Sequence, residues 1–222
     1  MAVVIKPSKT TVSTPQALTD LTKHIYNDDE IKLFRMDEAI NDHPLKHRPT
    51  NIRSKLAYKE LMHNCNTTSK YLLPGQICIF NYSEPKYKEE LEYYDKTPFV
   101  LYFGLTRTKD GNIREVGINM HYFPPHTRAR ILNTSYEVFK NYFKQQFNDP
   151  IHKPNRFIDY PKLKALMSRY NKIAFGVKMY IPVLRGNSYV IPTRLLPTAC
   201  YTEGHFSKAT LQQIFRFWRQ FK

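Results

Sequence analysis

The chain has 222 residues, 41% of them apolar, with sixteen tyrosines, fourteen phenylalanines and a formal net charge of +15. That content can build a sizeable core, which excludes a wholly disordered basic protein, and the length suits one domain with appendages or two small ones. No apolar run is long enough to span a bilayer, and the opening MAVVIKPSKTTVSTP holds too short an apolar stretch for a signal peptide, so neither a membrane span nor export is expected.

Residues 1–13 are rich in Ser, Thr and Lys and show no period, as an extended arm does. Thr14-Pro15 suits a helix start, with a hydroxyl cap and proline in the first turn, and Leu18, Leu21 and Ile25 follow as one apolar stripe. Residues 27–53 are polar, with His43-Pro44 and Arg48-Pro49 breaking any helix, and Lys55 to His63 forms one more short helix. The first seventy residues are thus expected to bury little and to act as an N-terminal arm ordered by packing on a neighbour.

The compact part begins at Pro74-Gly75. In the next strand Ile77, Ile79 and Asn81 alternate with Cys78, Phe80 and Tyr82, so both faces are mostly apolar and the strand is expected to be buried on both. A charged loop over 83–97 leads to a second strand, Phe99 to Leu105, and Lys109-Asp110-Gly111-Asn112 marks a hairpin turn into a third, Val116 to Phe123. Pro124-Pro125 ends that strand. A helix then runs from about Thr127 to Phe147 with the stripe Leu132, Tyr136, Phe139, Phe143 and Phe147. A second helix starts at Asp159, with Leu163, Leu166, Met167 and Tyr170 inward. Ala174 to Leu184 and Ser188 to Leu195 read as a hairpin around Arg185-Gly186-Asn187, and Ser207 caps a last helix, Lys208 to Phe221. The fold expected is α+β: a small SH3-like β-barrel or half-barrel with inserted helices over 71–205, preceded by the arm at 1–70 and followed by an amphipathic helix at 206–222.

The block 74–132 resembles small virion proteins of tailed bacteriophages, among them DNA end-protector proteins of T4-like phages. The positions that carry it are Pro74, Gly75, Phe80, Tyr82, Pro85, Lys86, Lys88, Tyr93, Tyr94, Asp95, Pro98, Gly117, Asn119, His121, Tyr122, Pro124 and Pro125. The resemblance implies a structural protein in the virion, made in the host cytoplasm and assembled near the portal, neck, tail or packaged DNA. Its finer form is a role in protecting DNA ends or completing the head.

Charge points the same way. Residues 1–70 hold eleven Lys/Arg against eight Asp/Glu, residues 71–150 ten against nine, and residues 151–222 thirteen against two, so the last third carries most of the excess. Such a segment attracts polyanions: double-stranded DNA first, an acidic subunit as the alternative. The candidate nucleic-acid-binding residues are Lys153, Arg156, Lys162, Lys164, Arg169, Lys172, Lys178 and Arg185, with Lys162, Arg169 and Lys172 forming a ridge and Tyr160, Tyr170 and Tyr180 interleaved. No helix-turn-helix, zinc-finger or RNA-recognition pattern is present, so phosphate contact without base readout is what the residues support.

The last helix places Leu211, Ile214, Phe215 and Trp218 on one stripe, with Lys208, Arg216, Arg219 and Lys222 as its only charges. Covering its own domain, filling a partner's groove and lying on a membrane surface all fit that pattern. Tyr93 and Tyr94 are candidate partner contacts with the same ambiguity: they stack on bases or a neighbouring subunit, or pack over the end of the barrel. For an enzyme, a packaging-associated metal-dependent nuclease would draw on Asp95, His121 and Glu115. Yet there is no helical HxxxH, no paired carboxylates and no Cys/His cluster, and Cys65, Cys78 and Cys200 give neither a disulfide framework nor a zinc pattern. The glycines, seven in all, leave little room for a phosphate loop. No catalytic residue, metal or cofactor is therefore assigned. A free, non-specific DNA-binding protein is the other alternative.

Overall fold

The computed structural model describes residues 36–68, 74–83, 89–133 and 171–221, with Leu72, Ile158, Tyr160, Pro161 and Leu163 besides. Helices α1 (Met36–Asn41) and α2 (Thr50–Asn64) are separated by a 3-10 turn at Pro44–His47. His43 starts that turn by accepting the Leu45 amide on its ring, and Pro49, which has no N–H to place, sits at the cap of α2. α2 is longer than Lys55 to His63, and it turns Ser54, Ala57 and Leu61 inward. Those residues join Met36, Ile40 and Leu45 in the main core, so the expectation that the first seventy residues bury little fails over this stretch. Small inward residues leave a weak apolar period, which is why the pattern hid them. Residues 1–35, the rest of the expected arm, lie outside the described residues.

Six strands form the main sheet: β1 (Asn66–Thr68), β2 (Ile77–Tyr82), β4 (Phe99–Arg107), β5 (Ile113–Asn119), β6 (Val177–Tyr180) and β7 (Arg185–Val190). Their order is β1-β7-β2-β4-β5-β6, with every neighbour antiparallel. A separate ribbon pairs β3 (Tyr94–Asp95) with β8 (Phe206–Ser207). The fold is mixed helix and sheet, but the sheet is open and not a closed barrel. Its edges, β1 and β6, are short and do not pair with each other among the described residues, whereas closure needs edge strands that meet in register.

The sheet is buried on both faces where it is thickest. Ile77, Ile79, Phe99, Leu101 and Phe103 face the helices in the main core, while Cys78, Phe80, Tyr82, Val100 and Tyr102 build a second core behind it. Continuous apolar runs in β2 and β4 are the sequence form of that arrangement. Gly75 takes φ +90, a conformation glycine adopts freely, and its amide donates to the Tyr102 carbonyl at 2.7 Å. The expected turn at 109–112 joins β4 to β5 with Arg107 opposite Ile113.

The second expected hairpin does not form. β6 runs along β5 at the sheet edge, while β7 sits between β1 and β2, and Arg185-Gly186-Asn187 lies within β7 and not in a turn. A 3-10 turn at Pro182–Leu184 redirects the chain across the sheet. The third strand also stops early, at Asn119, where a 3-10 turn over Met120–Tyr122 begins. Residues 125–133 then start helix α3, of which Leu132 is buried; Tyr136, Phe139, Phe143 and Phe147 lie outside the described residues. α4 (Asn171–Ala174) and α5 (Leu196–Ala199) are short, and the chain closes with α6 (Leu211–Gln220). Thr210, not Ser207, caps α6, in a box where Thr210 and Gln213 each satisfy the other's amide.

Candidate nucleic-acid interface and the network beneath it

The centre of the sequence block converges on one buried carboxylate. Asp95 accepts from the Thr97 amide and the His205 amide, each at 3.0 Å, from Asn119 Nδ2 at 3.1 Å and from His121 Nδ1 at 2.8 Å. The Asn119 side chain also accepts the His121 amide, which starts the 3-10 turn. His121 Nε2 lies 3.0 Å from Thr202 Oγ1, and the Thr202 hydroxyl, set between Nε2 and the Ala199 carbonyl at 2.7 Å, can donate to either. Beside it the Arg128 guanidinium donates to the carbonyls of Phe123, Cys200 and Thr202.

Electrostatics follow from that enclosure. Burial raises the Asp95 carboxyl, but the His121 imidazole and the donors from Asn119 and Thr97 outweigh it and hold Asp95 below its ordinary value. Burial lowers His121, and Arg128 adds to the effect. The pair is therefore an ionised Asp95 and a neutral His121 whose Nδ1–H donates to it. Arg128 is lowered by burial to about 10 and stays charged, partly balanced by Asp95 and Glu203. An acid–imidazole–hydroxyl chain has the order of a nucleophile triad, yet His121, Thr202 and Arg128 are all wholly enclosed and Asp95 nearly so. The arrangement ties β3, the turn after β5 and the segment after α5 together. Glu115, the third residue of a conceivable metal site, is held elsewhere by Arg185 Nε at 2.9 Å. Among the described residues no three His, Cys, Asp or Glu side chains converge as a metal ion requires.

The aromatic half of the block is packed as well. Tyr94 is buried in the second core, and Tyr93 stacks on Phe217 at 5.7 Å and leans on Tyr122. In α6, Ile214 is fully buried, Trp218 meets Phe123 edge-on at 6.0 Å, and Leu211 and Phe215 are half-buried. The helix lies on its own domain, and no helix among the described residues is long and apolar enough to cross a membrane.

Of the candidate DNA contacts, Lys153, Arg156, Lys162, Lys164 and Arg169 lie outside the described residues, and so does Tyr170. The other three have distinct surroundings. Lys172 is exposed, its Nζ 5.7 Å from the Trp218 ring. Lys178 lies over Tyr122 at 4.3 Å and Phe175 at 5.3 Å, and burial lowers its amine to about 8. Arg185 is engaged by Glu115 and by Ser188 Oγ at 2.6 Å. The exposed cations of the described last third are Lys172, Arg194, Lys208, Arg216 and Arg219, and Arg216 and Arg219 share the outward face of α6 with Gln212, Gln213 and Gln220. Counting charges cannot separate these from Lys178 and Arg185. The residues that sequence reasoning passed over entirely, Arg128 and Thr202, carry no local pattern that marks them.

Comparison with known families gives one match: the model of the family described as Phage T4 terminal DNA protecting protein covers residues 15–188. No curated protein and no solved structure matches the chain.

Proposed function

Because the chain belongs to the phage T4 terminal DNA protecting protein family, we propose that it is a non-enzymatic component of a tailed-phage particle that covers the ends of double-stranded DNA. The observation that carries this is the extent of the match, which takes in the described sheet up to Ser188 and the polar network around Asp95. The charge of residues 151–222, thirteen Lys/Arg against two Asp/Glu, supports a basic surface turned to DNA or to an acidic subunit. Lys153, Arg156, Lys162, Lys164, Arg169 and Lys172 are its proposed phosphate contacts, with Arg216 and Arg219 added from α6. Lys178 and Arg185 are proposed to support that surface from below, since each is already engaged. In the particle the chain sits near the portal, neck or tail, and Tyr93 and the rim of α6 are the candidate subunit contacts. The enclosure of Asp95 and His121 favours binding over a packaging-associated nuclease.

Mass spectrometry with cross-linking on purified, DNase-treated particles tests this placement. The chain is expected at fixed stoichiometry and cross-linked to portal, neck or tail subunits. Its absence from particles would overturn the virion reading.

A further inference from the structure

Helix α2 is apolar on two sides. Its inner side buries Ser54, Ala57 and Leu61. Of the seven exposed large apolar side chains among the described residues, three lie on this one helix: Ile52 at 45%, Leu56 at 42% and Met62 at 37% exposure. At 3.6 residues per turn they share one outward face with Lys55, Lys59 and His63, which are also exposed. No acid lies on that face; Glu60 is off it and accepts from the Thr198 hydroxyl at 3.2 Å. A clustered apolar patch with a cationic rim is the mark of a seat for something acidic and amphipathic.

The chain carries such a segment. In residues 14–30, Leu18, Leu21 and Ile25 form one stripe, and Asp20, Asp28, Asp29 and Glu30 stand against the lone Lys23, an acidic stretch in a chain of net charge +15. Five residues, 31–35, separate it from Met36, the first residue of α1, and α1 and α2 both pack on α5. Five extended residues span about 17 Å, while packed helices lie about 8–10 Å apart, so the segment reaches the outer face of α2 of its own chain. So short a tether gives an effective concentration on the order of millimolar, which favours the same chain over a second copy. The family match starts at residue 15, so segment and seat fall within the same matched unit.

We infer that residues 14–30 dock as an amphipathic helix on the outward face of α2 formed by Ile52, Lys55, Leu56, Lys59 and Met62. The inference does not rest on DNA binding, and its test contains no DNA. Hydrogen exchange of the full-length protein is followed peptide by peptide, at two concentrations about a hundredfold apart. Amides of 17–26 exchange at least about tenfold more slowly than an unstructured chain, equally at both concentrations. Ile52→Glu with Leu56→Glu removes that protection while β4 and β5 keep theirs, and Met179→Glu, at an exposed apolar position on β6, leaves it in place. Free exchange over 17–26 in the unaltered protein would overturn the inference, as would protection that survives the double substitution. Protection lost on dilution would assign the face to a second copy instead. An equal effect of Met179→Glu would show a global response and would also overturn it.

Discussion

At the scale of single residues the chain spends its polar groups on holding backbone, and the sign of the resulting pH dependence follows. His121 is lowered in the folded state, so its contribution is complete above the unfolded value near 6.5 and is lost as pH falls below it. Asp95 is also lowered, and its contribution fails only at more acid pH, below the ordinary carboxylate range. Urea unfolding at pH 7.5 and 5.5 should therefore show the protein losing stability on acidification, by at most about 1.4 kcal/mol per pH unit for one proton. His121→Gln should be less stable at pH 7.5 and should show a shallower fall. His43, lowered by burial too, leaves a residual slope in that variant. An unchanged slope would mean that His121 is not the titrating group. Gly117 gives a sharper case, because a Cβ there would sit 2.4 Å from Val100 Cγ1 and 2.5 Å from the Leu101 carbonyl oxygen. Gly117→Ala is expected to cost roughly 1–3 kcal/mol by overpacking, read from the same unfolding curves.

At the scale of elements the terminal helix illustrates which interactions matter. Its N-terminal box is exposed and local, so Thr210→Ala should cost about 1 kcal/mol. Ile214 is fully enclosed, and Ile214→Ala should cost about 2–5 kcal/mol in the same measurement. If the cap variant proved the more damaging, α6 would be held by its own start and not by packing. Element by element, legibility followed locality. The β4–β5 turn was readable because Asp110-Gly111 states its geometry in adjacent residues, and Gly111 does take φ +77. β6 and β7 were misread as partners because pairing is a long-range choice: β7 finds Ile79 and Thr67, which no local pattern announces. The burial of α2 was hidden by Ala57 and Ser54, and the Asp95 network was legible as an unusual cluster but not as a sealed one. Enclosure there comes from Thr202 and Arg128, which are distant from Asp95 in sequence.

At the scale of the whole molecule the question is whether the basic surplus meets DNA and whether it meets the ends. Charge reversal of Lys172, Arg216 and Arg219, all exposed, should flatten the dependence of log binding constant on log salt by about 0.9 for each phosphate contact removed. Lys178→Gln and Arg185→Gln should instead lower stability and leave the slope unchanged, because their partners are Tyr122, Phe175 and Glu115. The most direct test of the central claim is protection of blunt linear double-stranded DNA from a processive exonuclease, with covalently closed circular DNA as competitor. The account predicts that the protein shields the linear ends, is displaced poorly by an equal mass of closed circles, and leaves the DNA uncut when incubated alone with magnesium. Competition by circles as effective as by linear DNA, or cleavage by the protein itself, would contradict it.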